Sequence, residues 1–222
     1  MAVCDVDVKN GEDTRRQVES LGVKALFIEL DVRNAEQVEN AVKQTVEKLG
    51  GLNFAFNNAG IASNKGARIA DYIDEEFKRV MDINVMGVWY CMRSELNYMV
   101  KSGGGVIINT ASILGTVGMP TASSYVASKH AVIGLTKTAA LEYATKNIRV
   151  NALCPGYIYT SMLENNGIVP GTAKYEALTD MHAMKRLGKV EEISGAVLYM
   201  CSDSAAFMTG HSMIIDGGFT AK

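Results

Sequence analysis

Apolar residues along the chain follow two alternating rhythms. Short runs rich in β-branched and aromatic residues are followed by longer stretches with an apolar position every three or four residues, the pattern of parallel strands joined by crossover helices. Met1 to Asp5 and Ala25 to Leu30 read as strands, and Glu12 to Leu21 between them reads as a polar helix that Gly22 closes. Ala35, Val38, Ala41, Val42, Val46 and Leu49 recur at helical spacing, so this second helix turns one apolar stripe toward a sheet and ends at Gly50. Leu52 to Phe56 suits a buried strand that opens into the loop Asn57-Asn58-Ala59-Gly60.

The next helix is capped by Asp74 and runs through Phe77, Val80, Met81, Val85, Val88, Trp89, Met92 and Leu96, apolar on more than one face. Such a helix packs on two sides, here the sheet and a second subunit. Gly103-Gly104-Gly105 precedes the strand Val106 to Asn109; glycines ahead of a strand lack the helix amino terminus that binds phosphate, so they read as a turn. Ser123 to Tyr143 forms a long helix with Ala127, Ala131, Leu135 and Ala139 on one face, and Ile148 to Leu153 is a strand stopped by Pro155-Gly156. Tyr157 to Arg186 shows no sustained period and reads as an irregular, partly helical insertion, the place for a substrate lid. A helix from Val190 to Met200 and a strand from Ser212 to Ile215 complete a single domain over residues 1–222, with the lid at residues 157–188.

Composition narrows the function. At 48% hydrophobic and 21% charged the chain can build a core, which excludes disorder, and a net charge of -2 gives no basic footprint for nucleic acid. Cys4, Cys91, Cys154 and Cys201 form no C-x-x-C pair and the histidines are equally scattered, which disfavours a metal site or a disulfide framework. No apolar run is long enough to span a membrane and no signal peptide is recognisable, so a reduced, cytoplasmic protein is the expectation.

Ser112, Tyr125 and Lys129 are the most informative constellation. Tyr125 and Lys129, four residues apart, share a helix face, and an ammonium beside a phenol stabilises the phenolate and lowers its pKa. That suits Tyr125 to general acid or base work, although a half-buried tyrosine beside a solvated lysine would look the same in sequence. With Ser112 thirteen residues before Tyr125, Asn57-Asn58-Ala59-Gly60, Met81-Asp-Ile-Asn84-Val, Pro155-Gly156-Tyr-Ile158-Tyr-Thr160 and Ile215-Asp-Gly-Gly218 in order, nearly the whole chain resembles the short-chain dehydrogenase/reductase family.

The resemblance implies a doubly wound, Rossmann-like parallel sheet and hydride transfer between a nicotinamide and a secondary alcohol or ketone. Tyr125 would move the proton, Ser112 would orient the substrate oxygen, Lys129 would lower the Tyr125 pKa and bind the nicotinamide ribose, and Asn84 would hold a water linking Lys129 to solvent. A local helix kink is the alternative reading of Asn84. By the same resemblance Asp5 would accept hydrogen bonds from the adenosine ribose, favouring NAD over NADP, with Asp7 a nearby rival. Asp31 and Val32 would border the adenine, and Asn58, Ala59 and Gly60 would lie along the adenosine ribose. Ile158 and Thr160 would hold the carboxamide, Thr160 being equally suited to cap a helix. The resemblance also implies a homotetramer.

One family element has no counterpart: the Gly-x-x-x-Gly-x-Gly turn after the first strand, which contributes the pyrophosphate site. The chain opens at what matches the second strand, so a strand-turn-helix unit of about thirty residues is expected to be missing and the sheet to lack a central strand. A catalytically silent binding or oligomerisation protein is therefore the competing reading. The apolar lid residues Met162, Leu163, Ile168, Met181 and Met184 leave sugar lactols, cyclic alcohols, hydroxysteroids and 3-oxoacyl thioesters all open as substrates.

Overall fold

The computed structural model describes residues 1–165 and 167–221. β1 (Ala2–Asp5), α1 (Val8–Ser20), β2 (Leu26–Glu29) and α2 (Ala35–Leu49) form one strand-helix repeat. β3 (Phe54–Asn57), α3 (Asp74–Met81), a π-helical turn (Asp82–Gly87), α4 (Val88–Ser102), β4 (Gly105–Thr110), α5 (Ser123–Tyr143) and β5 (Ile148–Pro155) follow. The short helices α6 (Ser161–Glu164) and α7 (Ala173–Asp180) lie within the insertion, before α8 (Val190–Cys201) and β6 (Ser212–Ile215).

Every strand pair is parallel, in the Rossmann-like manner expected, but the strands form two sheets: β1 with β2, and β3-β4-β5-β6. In β4, Ile107 faces a core with Met92, Met99, Val132 and Val150, whereas Val106 and Ile108 face the opposite core with Leu153, Ala196 and Met200. A strand apolar on both faces is what a sheet covered by helices on both sides requires. A separate cluster of Ile28, Leu30, Val38 and Ala41 serves β2 and α2, with Tyr90 and Cys91 of α4 packed against it. Contacts between α2 and α4 hold the two-stranded unit to the rest, and at Gly87 a Cβ would lie 2.7 Å from Val32.

Four expectations about elements need correction. Leu52 to Phe56 is not a buried strand: β3 is the edge of its sheet, with Phe54 and Phe56 exposed, because no described strand pairs with that edge. The first helix begins at Val8 rather than Glu12, because Asp7 caps it and accepts from Asn10 N at 3.1 Å. Asp74 is the first residue of α3 and not its cap; Ile73 holds that position without a side-chain bond. The long helix expected from Phe77 to Leu96 is interrupted by the π-helical turn at Asn84, whose side chain bonds outside its own helix. The bounds expected for α5 and β6 are those observed.

Candidate active site

The carboxyl ends of β3, β4 and β5 and the first turns of α5 converge on Tyr125. Ser112 lies just beyond β4, and its Oγ caps the short turn Ile113–Gly115 by accepting from Leu114 N at 3.1 Å. Its hydroxyl is hydrogen-bonded with the Tyr125 phenol, and the Lys129 Nζ stands 5.5 Å from the centre of the Tyr125 ring. Ser112, Tyr125 and Lys129 are thus one cluster.

The electrostatics differ from the expectation in one respect. Burial pushes the Tyr125 phenol up, the Ser112 hydrogen bond opposes that only in part, and the nearby Tyr157 adds to the rise. Lys129 does not offset it. Its ammonium, 3% exposed, donates to Thr110 O at 2.7 Å, and burial lowers its pKa to about 8. Desolvation of both charged forms outweighs their pairing here.

Asn84 is fully buried, and its amide is engaged by the protein. Its Oδ1 accepts from Ile61 N at 2.8 Å, and its Nδ2 donates to Ile61 O at 2.9 Å and to Ser128 Oγ at 3.0 Å. The distorted helix is therefore present, made by a side chain that bonds a neighbouring loop. A Cβ on Gly60 would sit 3.3 Å from Asn84 Oδ1 and 3.4 Å from Lys129 Nζ, so the Asn-Asn-Ala-Gly loop brings its backbone directly over the cluster. Asn58 is exposed there and accepts from Thr110 Oγ1 at 3.0 Å, with Ala59 exposed beside it.

At the other end of the crevice, Asp5 closes β1 and is exposed, accepting from Asp7 N at 2.9 Å. Asp7 spends its carboxylate on Asn10, which separates the two rivals. Asp31 is gripped by Arg33, whose hydrogen bonds hold its carboxyl below the usual range, and Val32 packs against Gly87. Ile158 bridges to Gly188, while Thr160 stands at the N-cap of α6 without a side-chain cap bond.

Two clusters escaped the sequence reading. Tyr157, His182 and Phe219 pack ring against ring beside Tyr125. Glu95 is a buried carboxyl on α4 that accepts from Asn57 Nδ2 at 3.0 Å, and the same amide donates to Asn109 Oδ1 at 3.0 Å. Aromatic residues after a Pro-Gly stop were the available signal for the first; an isolated glutamate in a helical pattern gives none for the second.

Comparison with known proteins places the chain among relatives of one family. A family model described as enoyl-(acyl carrier protein) reductase matches residues 1–220. The cyclohexanol dehydrogenase of Acinetobacter sp. (strain SE19) is 38% identical over 224 residues, covering all of this chain and 85% of that protein. The solved structure of ElxO with NADP bound matches all of this chain and 88% of its own at a TM-score of 0.92 and 32% identity. An NAD+-bound xylitol dehydrogenase matches 98% of this chain and 88% of its own at a TM-score of 0.90 and 34% identity. The chain belongs to the short-chain dehydrogenase/reductase family of NAD(P)-dependent oxidoreductases.

Proposed function

We propose that the chain transfers a hydride between NAD(H) and a cyclic secondary alcohol or its ketone, with Tyr125 as general acid and base. The observation that carries this reading is the cluster of buried Ser112 and Lys129 with partly buried Tyr125 beneath the Asn58-Ala59-Gly60 loop. The likeness to a protein named cyclohexanol dehydrogenase supports the cyclic substrate.

The nicotinamide, when bound, supplies or accepts the hydride. Ser112 holds the substrate oxygen where negative charge develops during reduction, and Tyr125 gives that oxygen its proton. Lys129 uses one donor on Thr110 O, and its remaining N–H groups suit the ribose hydroxyls. The absence of a Cβ at Gly60 leaves the close approach that a ribose needs. Asn84 shapes the helix under this cluster, and its Oδ1, beside Lys129 at Gly60, is placed to order a water on the proton path. Ile158 and Thr160 flank the carboxamide, Asn58 and Ala59 lie along the adenosine ribose, and Asp31 and Val32 border the adenine.

Asp5 favours NAD, since an exposed carboxylate at the end of β1 repels a 2′-phosphate. NADP is the second reading, favoured by the NADP-bound ElxO structure. In dinucleotide-binding sheets the pyrophosphate turn belongs between the strands that match β1 and β3, and we place that contact at the division of the sheet. Residues 157–188 act as the lid of a single domain. A homotetramer in the cytoplasm completes the reading.

Replacing Tyr125 with Phe is the direct test. NADH binding should persist while turnover of a cyclic ketone falls about 10²-fold or more. Turnover at the wild-type rate would remove Tyr125 from the chemistry.

A further inference from the structure

Tyr157 follows β5 immediately after Gly156, and its placement is fixed from several sides. A Cβ on Gly156 would lie 2.9 Å from the Asp216 backbone, so strand β5 and the segment after β6 are in close contact at this point. The Tyr157 carbonyl accepts from Gly188 N at 2.9 Å. Its ring stands 5.9 Å from the His182 ring at 82° and 5.9 Å from the Phe219 ring at 56°; those two rings are 5.4 Å apart. His182 is itself 2% exposed and pinned by Nδ1 to Leu178 O at 2.7 Å. Three rings thus brace one another in edge-on and tilted contacts, the arrangement aromatic quadrupoles favour.

This trio adjoins the reacting group. Tyr157 and Tyr125 pack against the same cluster of Ile113, Leu114 and Phe219, together with Met119 and Met181. The two phenols are close enough that Tyr157 raises the pKa of Tyr125. Burial also pushes the Tyr157 phenol up, as a low-dielectric setting requires. The side chains packed with Tyr125 in this cluster include the rings of Tyr157 and Phe219 and the thioethers of Met119 and Met181.

We infer that Tyr157 selects carbocyclic over open-chain substrates, its ring forming a flat wall, braced by His182 and Phe219, against which the apolar face of a cyclic ketone lies next to Tyr125. A ring-shaped substrate arrives with its torsions already fixed, so it gains the contact without the ordering cost that an open chain meets. The inference rests on the oxidoreductase reading above. The reaction consumes NADH, a proton and the ketone, and gives NAD+ and the alcohol.

The test is steady-state reduction of cyclohexanone and 2-butanone with NADH by the wild type and by Tyr157→Ala, Tyr157→Leu and Tyr157→Phe, read as the ratio of the two kcat/KM values. Tyr157→Ala and Tyr157→Leu should lower the cyclohexanone to 2-butanone ratio about tenfold or more, the scale set by losing apolar contact in a specificity pocket. The change should appear mainly in KM. Tyr157→Phe, which keeps the flat face and loses the hydroxyl, should hold the ratio within about threefold. Tyr157→Leu preserves much of the volume, so the comparison of Leu with Phe decides the matter even where Ala impairs folding. An unchanged ratio in Tyr157→Leu, or a collapse of the ratio in Tyr157→Phe, overturns the inference while leaving the oxidoreductase reading standing. A wild type that reduces both ketones equally well does the same. A wild type that reduces neither ketone overturns the cyclic-alcohol reading itself, and this inference with it.

Discussion

Glu95 carries a carboxyl group that is only 7% exposed, and burial raises its pKa to about 7 against a single opposing hydrogen bond from Asn57. Its neighbours are the thiol of Cys91, one turn earlier on α4 and pushed up by burial and by the glutamate itself, and the exposed thiol of Cys4 on β1. In the unfolded chain the carboxyl returns to its ordinary value near 4.5, so between pH 4.5 and 7 the folded state binds the extra proton. Stability is therefore greatest below the unfolded pKa and falls as pH rises through 7, by on the order of 3 kcal/mol for this group. Glu95→Gln should remove that part of the slope and be the more stable form at pH 8, as measured by denaturant unfolding at pH 5, 6, 7 and 8. Parallel pH profiles for wild type and variant would show that Glu95 is ionised at no cost. Such a residue was not legible in the sequence, because a lone acid among apolar helical positions looks the same whether it faces solvent or a packed strand. Ser112, Tyr125, Lys129 and the Asn-Asn-Ala-Gly loop were legible, because their chemistry depends on spacing that the chain itself records.

The bounds of α5 and β6 were read correctly, while the start of α1 and the break before α4 were not. α5 runs from Ser123 to Tyr143 as its pattern says, whereas the π-helical turn depends on Asn84 meeting the backbone of Ile61, which no local pattern encodes. Removing that amide would leave the partly buried Ile61 N–H and carbonyl without it, each costing up to about 1–3 kcal/mol, whereas the Ser128 hydroxyl keeps its bond to Tyr125 O. α1 makes the same point through Gly11: a buried glycine inside a helix is tolerated because the Phe27 ring occupies the space a Cβ would fill. The outward faces of α4 and α5 carry a prediction of their own. Trp89 is 42% exposed, Val100 40% and Leu141 86%, and Gly134 has open space outside it where another helix could approach closely. Ala139, expected on the small-residue face, is instead in the core, which leaves the neighbouring face through Gly134 and Leu141 open. A homotetramer is expected by light scattering at micromolar concentration, and Trp89→Glu should shift it to smaller species. A monomeric wild type would leave these apolar faces without a partner of their own kind.

At the scale of the whole molecule the parallel order of strands was legible, while the way its two sheets are held together was not. Among the described residues no strand joins β1 to β3. The edge of β3 presents Phe54 at 57% and Phe56 at 43% exposure, and Cys4 of β1 is exposed as well. Open parallel edges with apolar side chains are a liability, and here the two sheets are joined through helices, α2 on α4 and Val32 on Gly87, instead of through backbone ladders. One consequence follows for the unit formed by β1, α1, β2 and α2. Its amides should exchange hydrogen faster than those of β4 and β5, whose strands are paired on both sides. Exchange in β1 and β2 as slow as in β4 and β5 would show that the helix contacts alone bind the two sheets into one cooperative unit.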